Sequence, residues 1–287
     1  MLFRSVYDFH RYEQVALSLQ PAVIIFSDVG PGVRWCGNES GSLGETNWNT
    51  FDTTGYGRGA TGPPGAMLNQ GVENGPLWMP AEADVSIRPG WFYHENENQK
   101  VKTPQQLFEI YYKTVGRGGN LLLNVPPDNN GLITAFDSAS AMGLKQMIDS
   151  AFKDNLAQHA TLRIVSEQNN ASARKLNDGK RDSYFVTKNS SSELIAELDF
   201  KNPVTFNNIV LQELIEKGQR IKSFSVEVWN GSMFEEIFKG TTIGYKRIIP
   251  IESKTTDKIR IKFSSARDVA VISEIQIYNS PYKVELK

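Results

Sequence analysis

Residues 118–127, with the sequence GGNLLLNVPP, decide the fold of the first half of this chain. The three leucines form an apolar run that is too short for a helix and is bounded by glycine and proline. This pattern is typical of a strand in a parallel sheet that is buried on both faces. Because Pro126 cannot continue a strand ladder, the stretch predicts a buried strand over residues 121–125.

The segment before this strand predicts a helix over residues 104–115. Thr103 is a favourable N-cap, Pro104 occupies the first helical position, and Gln106 completes a capping box. Further helices are expected over residues 8–20 and 137–155.

The remaining apolar runs of the first half predict strands at 22–26 and 84–88, separated by a long irregular stretch over 28–83. Strands that alternate with helices of this length predict a parallel sheet with right-handed crossovers. Because the first helix leads straight into an apolar strand, we expect the sequence to begin inside an α/β unit.

From about residue 161 the apolar period changes from 3.6 to 2 residues. Alternating runs occur at 194–200, 224–228, 259–263 and 275–278, with turn residues between them. Such runs predict an antiparallel β-sandwich. The sequence therefore predicts two domains, an α/β domain over residues 1–158 and an all-β domain over residues 159–287.

Composition excludes several classes of function. The chain has 287 residues, 31 Lys and Arg against 32 Asp and Glu, and a formal net charge of -1. Nucleic-acid binding requires a basic surface, so we expect no nucleic-acid partner. No apolar run is long enough to span a membrane. A single cysteine, Cys36, excludes an internal disulfide framework.

Carboxylates and aromatic side chains follow the predicted strands of the first half. In a parallel α/β barrel such positions form the site, and tryptophans beside carboxylates and polar donors suit a sugar. A glycosidase needs two carboxyl groups, and spacing alone does not say which pair would act. A role in the core, or in solvated loops, remains open for each of them. The candidates include Asp28, Arg34, Trp35, Glu39, Trp78, Glu82, Trp91 and Asp128.

Three blocks of this region resemble the α-L-fucosidases of glycoside hydrolase family 29, in the branch that acts on α-1,3/1,4-linked fucose. They are residues 26–39, residues 78–94, and the stretch 118–128 with Gly131-Leu132-Ile133. The resemblance implies the C-terminal half of a (β/α)8-like barrel and retaining hydrolysis. It also implies that Glu39 is the acid/base and that Arg34, Trp35, Glu82 and Trp91 line the sugar and aglycone sites.

The family's nucleophile stands in a motif upstream of the helix expected at 8–20, and this chain does not contain that motif. We therefore expect the chain by itself to be inactive, with a missing barrel half or an oligomeric partner completing the site. The alternative is a non-catalytic carbohydrate-binding or structural remnant. A fucosylated oligosaccharide is the expected substrate, and a full-length version is expected to be periplasmic or secreted.

The second half resembles the discoidin or galactose-binding-like sandwich, a jelly-roll fold. The resemblance rests on residues 176–179, 182–184 and 198–206, and on the run 272–278 as a closing strand. It implies no cofactor for catalysis but a structural calcium ion, with Asp178, Asp182 and Glu274 as oxygen ligands of the kind calcium takes. The alternative is that Asp178-Gly179 forms only a turn.

Overall fold

The structure, a computed structural model, describes residues 7–59, 61–166, 172–189 and 193–286. The helices are α1 (Phe9–Leu19), α2 (Gly65–Gln70), α3 (Pro104–Thr114) and α4 (Ala135–Ala151), and 3-10 helices lie at Glu95–Lys100, Leu156–His159, Ala173–Leu176 and Ile215–Lys217. The strands of the first half are β1 (Phe26–Ser27), β2 (Val33–Trp35), β3 (Thr50–Phe51), β4 (Leu77–Trp78), β5 (Ala81–Ser86) and β6 (Asn120–Asn124). Those of the second half are β7 (Thr161–Ile164), β8 (Phe185–Val186), β9 (Leu194–Glu213), β10 (Ile221–Trp229), β11 (Phe234–Gly240), β12 (Arg247–Ala266) and β13 (Val271–Tyr278).

Four strands of the first half form a parallel sheet in the order β1-β2-β5-β6. One face packs on α3 and α4, through a cluster that contains Val85, Ile87, Leu107 and Ile110. The opposite face carries the alternate side chains of the same strands, because side chains on a strand alternate between the two faces. This second face is called the inner face, and it carries the side chains from which the candidate site is built.

The inner face is open in the described part of the chain. Leu122 is 46% exposed and Phe26 is 38% exposed, and no outer neighbour pairs with β1 or β6 among the described residues. The prediction that the strand around Leu122 is buried on both faces is therefore wrong for one face. Helix α1 also lacks a buried side chain. Among the described residues, no helix combines the length and apolar character required to cross a membrane.

The helices agree with their predicted positions, and the capping box at Thr103 and Gln106 is present in α3. The strands agree less well. The run predicted at 22–26 forms a ladder only at Phe26–Ser27, since this edge strand pairs with β2 alone. The strand predicted at 84–88 lies instead at Ala81–Ser86. The stretch 28–83 contains four short elements, β2, β3, α2 and β4, before the start of β5.

The second half is an antiparallel β-sandwich, as predicted. Its strands follow the order β11-β10-β12-β9-β13-β8, and β7 also pairs with β9. All four period-2 runs lie in strands, and their apolar residues fill one core that includes Leu198, Val226, Ile261 and Ile277. The strands β9 and β12 are each 20 residues long, and their pairing contains two register shifts, one after Pro250 and one after Thr256. The exact domain boundary stays a prediction.

The sandwich packs directly on α3 and α4. Aromatic rings from both halves meet there, with Phe152 lying 5.3 Å from Tyr278 and 6.0 Å from Tyr112 between ring centroids. The hydroxyl of Tyr112 donates to Oδ1 of Asn208 over 2.8 Å. An apolar and aromatic contact of this kind fixes the two halves relative to each other.

A buried polar contact adds to this junction at Asn47. Its side chain accepts a hydrogen bond from Arg34 and donates to the carbonyl of Arg117, both in the first half. Its backbone N–H donates to Thr242 over 2.9 Å, and its carbonyl accepts from Gln219 over 2.8 Å. Because the groups are buried and paired, separating the halves would leave several of them without partners.

Candidate active site

Two loops at the carboxyl ends of neighbouring parallel strands meet in one hydrogen bond. Glu39 follows β2 and Trp91 follows β5. The indole Nε1 of Trp91 donates to Oε2 of Glu39 over 3.0 Å. The Glu39 side chain is exposed, so a substrate can reach its carboxyl group from solvent. The sequence prediction that these two residues share a site is therefore consistent with the geometry.

The loop that carries Glu39 is held by its own polar groups. Oδ1 of Asn38 accepts from the N–H of Ser40 over 3.1 Å, and Nδ2 of Asn38 donates to the carbonyl of Ser42 over 2.9 Å. Gly41 has a φ of +69°, and a Cβ there would lie 2.8 Å from Cγ2 of Ile110. The loop therefore packs closely on α3, which limits the positions open to Glu39.

The loop that carries Trp91 is anchored by Arg88, a fully buried residue just beyond β5. Its guanidinium forms an ion pair of 2.6 Å with Asp137 of α4, which is equally buried. The same group donates to the carbonyl of His94 over 3.2 Å and lies 4.9 Å from the ring centroid of Tyr93. Arg88 thus fixes the loop to the first turn of α4.

The end of β6 supports Trp91 from the other side. Nδ2 of Asn124 donates to the carbonyl of Trp91 over 3.0 Å and to Oγ of Ser86 over 3.1 Å. The hydroxyl of Ser86 donates to the carbonyl of Gly90 over 2.6 Å. Three adjacent strand ends are therefore joined around the indole that contacts Glu39.

A row of polar side chains crosses the inner face below these loops. The register places Trp35, Glu82 and Asn120 side by side on β2, β5 and β6. Nδ2 of Asn120 donates to Oε2 of Glu82, and Nε1 of Trp35 donates to Oδ1 of Asp84 over 2.7 Å. Trp35 and Glu82 thus lie on the face expected for a sugar site.

Sequence reasoning missed Asp84 and Asn120 as members of this row. The signal was present, because residues i and i+2 of a strand share a face and Asp84 follows Glu82 by two positions. Two carboxylates, an amide and an indole on one open surface can hydrogen-bond to hydroxyl groups and pack against the carbon face of a sugar ring.

Arg34 does not join this surface. It precedes Trp35 on β2 and therefore points to the opposite face of the sheet, where it is fully buried. Its guanidinium donates to the carbonyls of Leu68 and Met79 and to Oδ1 of Asn47, and burial lowers its pKa to about 9. With its nitrogens bound to protein oxygens, Arg34 stabilises the scaffold, and the expectation that it lines the sugar site is corrected.

The residues expected to bind calcium do not all meet. Glu274 is 2% exposed, and neither of its carboxylate oxygens accepts a hydrogen bond of ordinary length and angle among the described residues. Burial raises the pKa of Glu274 to about 7 and the charge of Asp178 adds to this rise, while weaker interactions with the N–H groups of Gly179 and Lys180 oppose it. A buried carboxylate beside Asp178 fits a cation.

Asp178 and Asp182 differ in their surroundings. Oδ1 of Asp178 accepts from the N–H of Lys180 and from Oγ of Ser183, each over 2.8 Å. Asp182 is exposed. In the part of the chain that the structure describes, no three His, Cys, Asp or Glu side chains form a metal-binding group. Any cation at Glu274 would therefore need backbone oxygens as further ligands.

Two protein-family models match the chain. Residues 45–147 match the model described as alpha-L-fucosidase, and residues 175–271 match the one described as NedA-like, galactose-binding domain. Alpha-L-fucosidase 1 of Arabidopsis thaliana is 37% identical over 283 residues, which cover 95% of this chain and 54% of that protein. The chain thus spans about half the length of that relative.

Solved structures agree with these matches. The crystal structure of SpGH29 is 33% identical, with a TM-score of 0.89, over 97% of this chain and 61% of that one. A GH29 fucosidase of Ruminococcus gnavus in complex with fucose is 27% identical, with a TM-score of 0.83, over 96% of this chain and 58% of that one.

Proposed function

We propose a function from one premise, namely that this chain carries part of an α-L-fucosidase domain of glycoside hydrolase family 29 followed by a galactose-binding-like domain. The proposed activity of the whole enzyme is hydrolysis of terminal α-L-fucose from a glycan with retention of configuration. Glu39 is the proposed acid/base. The observation that carries this assignment is the hydrogen bond from Nε1 of Trp91 to the exposed carboxyl group of Glu39.

The proposed reaction has two steps. In the first, a carboxylate outside this chain bonds to the anomeric carbon, the glycosidic C–O bond breaks, and the Glu39 proton passes to the leaving oxygen. In the second, Glu39 takes a proton from water, the water oxygen bonds to the anomeric carbon, and the enzyme–sugar bond breaks. Retention requires about 5–5.5 Å between the two carboxyl groups.

Trp91 supports the acid role of Glu39. An indole N–H can donate a hydrogen bond but cannot accept one. It therefore holds Oε2 as an acceptor, which leaves Oε1 as the oxygen that carries the transferable proton. The polar row on the inner face, with Trp35, Glu82 and Asp84, lies where the sugar and its aglycone would be bound.

A further element must complete the site. The inner face is open, β1 and β6 have unpaired outer edges in the described chain, and relatives are nearly twice as long. An exposed apolar sheet face is costly in water. We therefore propose that the remaining strands and the nucleophile come from a polypeptide segment outside these residues, and that the chain by itself does not turn over substrate.

An aryl α-L-fucoside assay tests the proposal, with the chain alone and with the chain joined to the N-terminal part of a relative. We expect turnover only from the joined protein. Glu39→Ala should lower the rate on an unactivated fucoside at least about a hundredfold. On the activated aryl fucoside, azide, which needs no base, should restore part of the rate of the second step. Glu235→Ala, at an exposed position of the sandwich, is the control. Turnover by the chain alone, or full activity of Glu39→Ala, would refute the proposal.

Linkage preference is a finer part of the proposal. The block at 78–94 resembles the branch that acts on α-1,3/1,4-linked fucose, and it contains Trp91 beside the proposed acid. Competition between α-1,2-linked and α-1,3-linked fucosyl oligosaccharides in the joined protein tests this preference, since equal rates would contradict it.

The proposed role of the sandwich is to brace the barrel part. The contacts of Asn47 and the aromatic contact at Phe152 support this role. A structural calcium ion at Glu274 and Asp178 is proposed as part of the same domain, supported by the two unpartnered carboxylate oxygens of Glu274. Such an ion would neutralise the buried charge and take no part in catalysis.

A further inference from the structure

A groove lies at the junction of the two halves, away from the proposed acid Glu39. Its volume is about 480 Å³, which is within the range of about 300–1,000 Å³ typical of small-molecule sites. The walls come from the loop after β2, the residues before β6, strands β11 and β12, and the C-terminal segment. The lining residues used below are Glu45, Arg117, Phe238, Lys239, Arg247 and Pro250.

Two guanidinium groups share a single carboxylate in this groove. Arg117 and Arg247 both form ion pairs with Glu45. The Arg247 side chain is only 4% exposed, whereas the Glu45 side chain is 63% exposed. One buried and one largely buried cation are therefore balanced by one carboxylate that stands largely in water.

The groups of the groove leave an excess of positive charge. Nε of Arg247 is buried and has no hydrogen-bond partner among the described residues. Burial lowers the pKa of Arg117. The negative charge of Glu45 opposes this lowering, whereas the positive charge of Arg247 adds to it. Lys239 lines the same groove. A buried cation without full compensation is unfavourable, so a second anion in the groove would be stabilised.

The walls of the groove indicate what carries that anion. Phe238 and Pro250 provide apolar surface in the same groove as the arginines. A pyranose ring presents carbon-bound hydrogens on its faces, which pack on such surface, while a carboxylate matches the forked geometry of a guanidinium. A sugar with a carboxylate substituent combines both requirements.

We propose that this groove binds a carboxylate-bearing sugar, of the uronic acid class, between Arg117 and Arg247. The ligand carboxylate accepts from the Nη2 groups of Arg117 and Arg247 in place of the Glu45 carboxylate, and Glu45 turns outward to solvent when the ligand enters. The ligand carboxylate then replaces Glu45 in its ion pairs with the two arginines, so neither guanidinium is left without a counter-charge. The site is independent of the proposed hydrolysis at Glu39.

Isothermal titration calorimetry of the full chain with methyl glucuronide, methyl glucoside and acetate tests the proposal. We expect methyl glucuronide to bind at least about tenfold more tightly than either of the other two, since a bidentate guanidinium–carboxylate pair and the sugar contacts must act together. Affinity should fall as salt is added. Equal binding of glucuronide and glucoside, or no binding of either, would overturn the proposal.

Several single variants locate the site, so the test does not depend on a variant that fails to fold. Glu45→Gln should strengthen glucuronide binding several-fold because it removes the competing carboxylate, and Lys239→Gln should weaken it. Arg117→Gln should lower the affinity at least about tenfold. Lys222→Gln is a matched control, because Lys222 pairs with Glu73 outside the groove. Acetate binding as tight as glucuronide binding would show a simple anion site and would also overturn the proposal.

Discussion

The indole nitrogen of Trp91 lies 3.0 Å from Oε2 of Glu39, although 52 positions separate the two residues in the chain. The contact joins the loops that follow β2 and β5, which are paired in parallel. It gives the proposed acid a fixed orientation before any substrate is bound. A carboxyl group held in this way loses less freedom on reaching the transition state.

The contact predicts a spectroscopic link between the two residues. The indole ¹H–¹⁵N resonance of Trp91 should shift in Glu39→Gln, because an amide oxygen is a weaker hydrogen-bond acceptor than a carboxylate oxygen. In Glu45→Gln the resonance should stay at its wild-type position. A Trp91 resonance that moves equally in both variants would contradict the contact.

Breaking the buried ion pair between Arg88 and Asp137 should cause a large loss of stability. Arg88→Met should lower the free energy of unfolding by about 3–5 kcal/mol, because it leaves Asp137 charged and buried. The double variant with Asp137→Leu should recover part of the loss. Urea unfolding measures both changes.

A solvent-exposed ion pair gives the matched control for that measurement. Lys145 and Asp149 form such a pair on α4, and Lys145→Met should change the free energy of unfolding by no more than about 0.5 kcal/mol. Equal effects of Arg88→Met and Lys145→Met would contradict the role assigned to Arg88.

Glu213 predicts a pH dependence of stability. Its carboxyl group is fully buried, and burial raises its pKa from 4.5 to about 7, against hydrogen bonds from the N–H groups of Arg220, Ile221 and Gly244. A raised folded pKa means that this group's contribution is fully present below about pH 4.5 and is lost as the pH rises through about 7.

Glu213→Gln should remove that dependence, because glutamine resembles the protonated form. The stability of the wild type relative to Glu213→Gln should fall by about 3 kcal/mol between pH 4.5 and 7 and then level off. Urea unfolding of both proteins at about pH 5 and about pH 8 measures this difference. A constant difference would show that Glu213 keeps an ordinary pKa in the fold.

Calcium is expected to raise the midpoint of thermal unfolding through Glu274. The increase should depend on calcium concentration, should be smaller with magnesium, and should be absent in Glu274→Gln. Asp182→Asn should keep the full increase, because Asp182 is exposed. Loss of the effect in Asp182→Asn, or its persistence in Glu274→Gln, would contradict the site as proposed.

Local sequence signals were sufficient where the structure depends on neighbours in the chain. The capping box at Thr103, the helix that follows it and the period-2 runs of the sandwich were predictable because each depends on residues within one or two turns or along one strand. The strand at 22–26 was mispredicted because an edge ladder depends on what pairs with it. Arg34 was misplaced because the face a strand residue occupies depends on register.

The sequence by itself determined an α/β part, an antiparallel sandwich and the segments that carry Glu39, Glu82 and Trp91. Only the tertiary structure decided which of these side chains meet, that Arg34 supports the sheet from its far side, and that Arg117 and Arg247 converge on Glu45. The physical reason is the distance along the chain over which each interaction acts. Periodicity and caps are fixed by short-range backbone geometry, whereas contacts between strand ends and between domains follow from pairing register and packing of distant segments.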